Sequence, residues 1–149
     1  MARPVGSNGR ETAQRAREAA LSLFARHGYA AVSMREIAGD VGGGAAALYN
    51  HFATKQDLLA GLMEAHMDDL LSAWTDETPE RTAAERLEAF TRFHIRFHAD
   101  RADEVFVAYM ELRSLEPANY HRIELNRAAY EATLTSILED GVSEGSFTL

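Results

Sequence analysis

Apolar residues recur at three- and four-residue intervals along nearly the whole chain, and nowhere do apolar and polar positions alternate with the period of two that a half-buried strand needs. The pattern predicts an all-α protein. Ala13, Ala16, Ala20, Leu23, Phe24 and His27 mark one face of a helix over 10–27, which Gly28 stops. Ser33 followed by Glu36 is a capping box that opens a second helix carrying Met34, Ile37, Ala38 and Val41, and Gly42-Gly43-Gly44 ends it. A two-turn third helix is expected over 45–52. Thr54 followed by Asp57 starts a fourth, with Leu58, Leu59, Leu62, Met63, His66, Met67, Leu70 and Trp74 on its apolar side. Over 55–74 that helix would be about 30 Å long, enough to join two units.

Residues 76–80 are a polar break, and Thr82 with Glu85 forms a third capping box. Leu87, Phe90, Phe93, His94 and Phe97 then define the next helix, which 100–103 interrupt. Val105, Phe106, Tyr109, Met110 and Leu112 mark another, ended by Glu116-Pro117. Tyr120, Ile123, Ala129, Tyr130, Leu134, Ile137 and Leu138 mark the last, with Gly141 as its cap. The organisation expected is an N-terminal three-helix head over 1–57 and a helical body over 58–149. Two short helices joined by a glycine turn form a helix-turn-helix, the arrangement that lays a recognition helix in a DNA major groove.

Charge supports that reading once it is divided. The net charge is −8, but residues 1–57 hold seven Lys/Arg against five acids, and the remainder eight against eighteen. A mildly basic head on an acidic body turns only the head toward a polyanion, and such binding is salt-sensitive. At 149 residues and 46% hydrophobic content the chain can bury a core. It has no cysteine, so disulfides and thiolate zinc sites are excluded. No uncharged apolar run reaches the roughly 18 residues of a membrane span, and residues 1–9 have no signal-peptide core, which predicts a cytoplasmic protein without membrane association.

Ile37-Ala38, Gly42, Leu48-Tyr49-Asn50-His51-Phe52, Lys55 and Leu58-Leu59 together resemble the signature of the TetR family, the tetracycline-repressor-like transcriptional regulators. The resemblance implies that Ser33 and Arg35 lie at the DNA edge of the second helix, Tyr49 and His51 on the DNA side of the third, and Lys55 on a phosphate. Their chemistry agrees: Arg35 and Lys55 can neutralise phosphates, and Tyr49 offers its ring to a thymine methyl. The family usually carries Val or Ile where Gly43 stands, a Ser-like cap at Gly44 and polar residues across Ala45, Ala46 and Ala47. Alanine presents only a methyl group, so direct readout falls to Arg35, Tyr49 and Asn50, with methyl contacts from Ala45 and Ala47. Arg3 and Arg10, on an arm over 1–9 and just after it, could touch phosphate or a minor groove, and a frayed terminus is the plain alternative.

The same resemblance makes the body an effector domain and the protein a homodimer on a palindromic operator. A cavity is expected among Trp74, Phe93, Phe97, Phe106, Tyr109 and Met110, with His94, His98, Arg113 and Asn126 orienting the ligand; aromatic residues at helical spacing also suit a plain core. Glu111 to Leu115, Tyr120-His121-Arg122, Tyr130 and Glu144 to Phe147 are similar to the subgroup whose ligands include fatty acyl-CoA or steroid-derived CoA esters. An acyl-CoA is therefore an expected effector, with Arg113, Arg122 or Arg127 against its phosphates. Family members continue past Gly145-Ser146-Phe147 with about two further helices that form most of the dimer interface, whereas this sequence stops at Leu149: either it is truncated or other helices dimerise.

Two rivals stand beside the ligand-responsive repressor. His94 and His98, one turn apart, with Asp100, Asp103, Glu104 and His121 as further ligands, would make a metal-sensing regulator. The Gly/Ala third helix would also suit an interaction protein that does not bind DNA. No H-E-x-x-H, phosphate-binding glycine loop or nucleophile elbow occurs, so neither an enzyme nor a cofactor is expected.

Overall fold

The computed structural model describes residues 7–42, 44–75 and 81–148. Arg3, Gly43 and the polar break at 76–80 lie outside the described residues. Among those described there are seven α-helices, two single 3-10 turns and no strand. They are α1 (Ser7–His27), α2 (Met34–Val41), α3 (Ala45–Tyr49), α4 (Lys55–Ala73), α5 (Ala83–Ala99), α6 (Ala102–Met110) and α7 (Pro117–Ser143), with 3-10 turns over Tyr29–Ala31 and Leu112–Ser114. The all-α fold with a helix-turn-helix head is the one the sequence predicts.

All three capping boxes form. The hydroxyls of Ser33, Thr54 and Thr82 accept from the backbone N–H three residues on, and the carboxylates of Glu36, Asp57 and Glu85 accept from the cap N–H in return. Gly42 ends α2 in the left-handed region at φ +77°, where a Cβ is disfavoured.

Four boundaries differ from the sequence reading. Helix α1 starts by Ser7, so Arg10 sits within it and not at the end of an arm. Helix α3 stops at Tyr49, not Phe52: His51 and Phe52 both donate to the Leu48 carbonyl, a tightened last turn that swings Phe52 into the core under Arg17, whose guanidinium is 5.3 Å from the ring. Helix α6 stops at Met110, because Glu111 turns inward to bond the head; Glu116-Pro117 then opens α7, with proline in the first turn where its missing N–H costs nothing. Gly141 is not the cap of α7 but a buried interior position that Phe147 packs against. The left-handed residue is Gly145 at φ +76°, and the N–H groups of Ser146 and Phe147 return to the Gly141 carbonyl.

Two cores share α4. The first joins Ala16, Ala20 and Phe24 of α1 to Ile37, Leu48, Leu58, Leu59 and Met63, and also takes in Val107 of α6 and Ile123 of α7. The second, farther from the head, gathers Met67, Leu70, Phe90, Phe97, Tyr130 and Ile137. Fully buried Phe24, Ile37, Leu58 and Leu59 each contribute about 1.5–3 kcal/mol by leaving water. Helix α7 runs parallel to α4, with Asn119 bonded to Gln56 and Arg122 to Glu64, and antiparallel to α5, with Asp140 paired to Arg86 and Glu144 accepting from the N–H of Ala83.

At the start of α4, where the head meets the turn after α6 and the start of α7, lies a buried polar joint. The side-chain amide of Gln56 donates to the Tyr29 hydroxyl (3.0 Å) and the Ser114 carbonyl (3.1 Å), and its oxygen accepts from the N–H of Glu116 (2.8 Å) and from Asn119 (3.2 Å). Gln56→Leu keeps the volume and leaves those partners unpaired away from water. It is expected to lower the unfolding free energy by about 2–4 kcal/mol, measured as a lower urea midpoint with an unchanged slope.

Candidate functional site

The head presents one polar surface. Ser33 caps α2 and Arg35 follows in its first turn, both exposed; Ala46 and Ala47 of α3 are exposed, Ala45 is half-buried against the core, and Tyr49 is 50% exposed, followed by exposed Asn50 and His51. Leu48, on the opposite side of α3, anchors the helix in the core. Lys55 is placed differently from the others. Its amine donates to the carbonyls of Tyr29 and Val32, both at 2.8 Å, and lies 4.1 Å from the centre of the Tyr29 ring. Two of its three N–H groups are thus spent on the turn that precedes α2, which leaves one for a phosphate.

In the body, α4, α5, α6 and α7 line an open-sided cavity of about 390 Å³. Its two ends differ. Leu70, Leu87 and Leu134 border it on the side away from the head, whereas His66, His98, Tyr109 and Arg127 border it on the side near α6. Of the residues expected around a ligand, the structure brings His94, His98 and Tyr109 to this cavity. Trp74 and Phe93 form an aromatic cluster beside it with Phe90 and Phe97, Trp74 meeting Phe90 edge-on at 5.1 Å. Met110 and Arg113 lie with Tyr109 on a second, shallower concavity of about 410 Å³; Phe106 is exposed and Asn126 half-buried, neither bordering either space. The sequence reading missed His66, Phe90, Tyr130 and Leu134 as cavity residues. The signal available was a histidine in the apolar stripe of α4, where a plain core would carry an aliphatic residue.

The polar groups are tightly arranged. His98 Nδ1 lies 2.8 Å from the His94 carbonyl, which can only accept, so the proton of a neutral His98 ring is on Nδ1. His94 Nδ1 bonds the Tyr130 hydroxyl at 3.1 Å, and burial pushes that phenol up to about 12, keeping it protonated. His66 is 5% exposed, its Nδ1 has no hydrogen-bond partner, and its ring packs against His98 at 5.5 Å. Desolvation, helped by His98, holds both His66 and His94 below the ordinary imidazole value. Among the described residues no three potential ligands are grouped to hold a metal, and the ring nitrogens nearest the backbone of His94 and His98 are already engaged. None of the described helices is long and apolar enough to cross a membrane.

Two family models cover most of this architecture: bacterial regulatory proteins of the tetR family over residues 17–62, and the tetracyclin repressor-like C-terminal domain over 80–149. A bacterial regulatory protein in the tetR family from Rhodococcus RHA1 has 33% identity and a TM-score of 0.87, with 92% of this chain and 73% of that one covered. The chain belongs to the TetR family. The TetR family transcriptional regulator PfmR from Thermus thermophilus superposes with TM-score 0.81 at 29% identity, covering 91% of this chain and 74% of its own. AibR, solved in complex with isovaleryl coenzyme A and operator DNA, matches at 26% identity and TM-score 0.81, covering 93% and 76%. No curated protein matches the chain.

In this TetR-family protein the Lys55 amine is a structural clasp as well as a cation. Lys55→Met is expected to cost about 1–3 kcal/mol in chemical unfolding, because the Tyr29 and Val32 carbonyls lose their donor. The histidines set a pH dependence. Their folded values lie below the unfolded 6.5, so the unfolded state binds more protons between the two. Stability is therefore undiminished above about pH 6.5 and falls as pH drops below it; His66→Phe should flatten that acid limb in melting temperature against pH.

Proposed function

We infer that the protein is a ligand-responsive transcriptional repressor, which reads a palindromic operator as a homodimer and leaves it when a small hydrophobic or acyl-CoA-like effector enters the cavity of the body. One observation carries this reading. Helix α6 borders the cavity with Ala108 and Tyr109, and the residue that ends it, Glu111, accepts from the backbone N–H of Tyr29 in the head at 3.0 Å. A ligand that displaces α6 therefore acts on the turn from which α2 departs. Only its differential affinity for the two arrangements shifts the equilibrium, and couplings of about 1–3 kcal/mol are typical. That AibR was solved with both a coenzyme A ester and operator DNA supports the reading.

On the DNA, Arg35, Tyr49 and Asn50 are the base and phosphate readers, with Ser33 and His51 on the backbone and the methyl groups of Ala45 and Ala47 against thymine. The remaining N–H of Lys55 completes the phosphate contacts. Ile95 of α5 and Leu125 of α7, 63% and 58% exposed, are apolar surface suited to a partner subunit.

Selection of bound duplexes from a random pool at two salt concentrations should enrich a palindrome. Arg35→Ala and Tyr49→Ala should each then reduce discrimination at their own base positions by about 1–3 kcal/mol, with smaller effects elsewhere in the site. Absence of any salt-dependent DNA affinity would instead favour an interaction protein whose Gly/Ala helix no longer reads bases.

A further inference from the structure

We propose that the effector is a hydrophobic carboxylic acid, with its alkyl body against Leu70, Leu87 and Leu134 and its carboxylate between Arg127 and the imidazoles of His66 and His98. The proposal rests on the effector reading of the cavity and narrows it to one chemical class. The helix registers define the two ends. Because α7 runs antiparallel to α5 and parallel to α4, Leu134 meets the start of α5 and the later turns of α4, whereas Arg127 lies toward His98 and the α6 side. The ligand is therefore amphipathic along one axis.

The polar end offers one cation, Arg127, to a negative charge, with Glu131 bordering the cavity one helical turn further on. Among the described residues Arg127 is the only Arg or Lys bordering the cavity and has no carboxylate within ion-pair distance; it is half-buried and lies 5.2 Å from the Tyr109 ring. A carboxylate accepts two parallel bonds from such a guanidinium. A coenzyme A ester carries several phosphate charges, which one guanidinium does not balance.

The imidazoles supply the rest. His98 holds its Nδ1 proton on the His94 carbonyl, so its Nε2 carries a lone pair until it is protonated, and His66 has a buried nitrogen with no partner. The charged and titratable groups around them are Asp69 from α4, His94 from α5 with Arg101 just after it, Glu104 and Tyr109 from α6, and Arg127, Tyr130 and Glu131 from α7. Burial lowers the affinity of His66 for a proton. An arriving carboxylate opposes that effect, since an imidazolium beside an anion is stabilised. The balance is one proton taken from solvent per carboxylate bound, or the acid's own proton moved from its oxygen to the imidazole nitrogen.

The test is calorimetric titration of the full chain with decanoate, decanol, methyl decanoate and decanoyl-CoA between pH 6 and 8. Decanoate should bind at least about tenfold more tightly than decanol or the ester, weaken as pH rises, and show uptake of about one proton when titrations are repeated in buffers of different ionisation heat. Arg127→Met, at a half-exposed position, should bring decanoate to the level of decanol and leave decanol unchanged; His66→Gln should remove the proton uptake. Equal binding of decanol and decanoate, or pH-independent binding of decanoate, would overturn the acid while leaving the cavity as the effector site. Decanoyl-CoA binding more tightly than decanoate would overturn it in favour of the ester. If none of the four binds and none alters DNA affinity, the effector reading itself fails and the proposal with it.

Discussion

One buried side-chain amide holds the two halves of this protein in register. Gln56, 7% exposed at the start of α4, satisfies groups on the head turn, on the turn after α6 and on the start of α7. Glu111, 8% exposed, adds a second tie, one oxygen on the Tyr29 N–H and the other on the Ser114 hydroxyl at 2.7 Å. In a medium of low polarity these groups have no substitute partners, so they fix relative position more sharply than apolar contacts do. Apolar packing of Val107 from α6 and Ile123 from α7 into the core of the head joins the same two halves. The polar joint decides where on that packing surface the head sits, and so where α3 points.

The cavity is where the same apolar faces fail to meet. Helices α4, α5 and α7 turn Met67, Leu70, Phe90 and Tyr130 toward one another, but three histidines along the same faces are too polar to close into a dry core and too large to interdigitate as alanines would. His94 and His98 settle by bonding Tyr130 and the helix backbone. His66 keeps one buried ring nitrogen without a partner among the protein groups.

Much of the fold was legible because it is encoded locally. Three capping boxes, Gly28 and Gly42 are readable from spacing alone, and each forms. What was not legible depends on groups distant in sequence. Leu112 continues the helical spacing of α6, yet the helix ends before it because Glu111 meets Tyr29, 82 residues away. Gly141 carries the sequence mark of a cap, but its lack of a side chain serves the ring of Phe147. Lys55 reads as a surface cation until the Tyr29 and Val32 carbonyls are seen above it. In the body, spacing identifies which residues face inward but not which of them enclose space, so Phe97 packs solidly while Phe90, two turns earlier, borders the void.

The bareness of α3 has a consequence for descent. Ala46 and Ala47 project from the head without supporting its core, which Leu48 and Ala45 reach instead. Exchanging either alanine for Gln, Lys or Arg costs only a few tenths of a kcal/mol in helix propensity and disturbs no packing. If α3 lies in the major groove as proposed, new hydrogen-bonding groups can be tried there one codon at a time, each changing the preferred base while the fold, the joint at Gln56 and the cavity stay as they are. For a lineage of duplicated regulators, this short helix is the cheapest place from which to acquire a different set of genes.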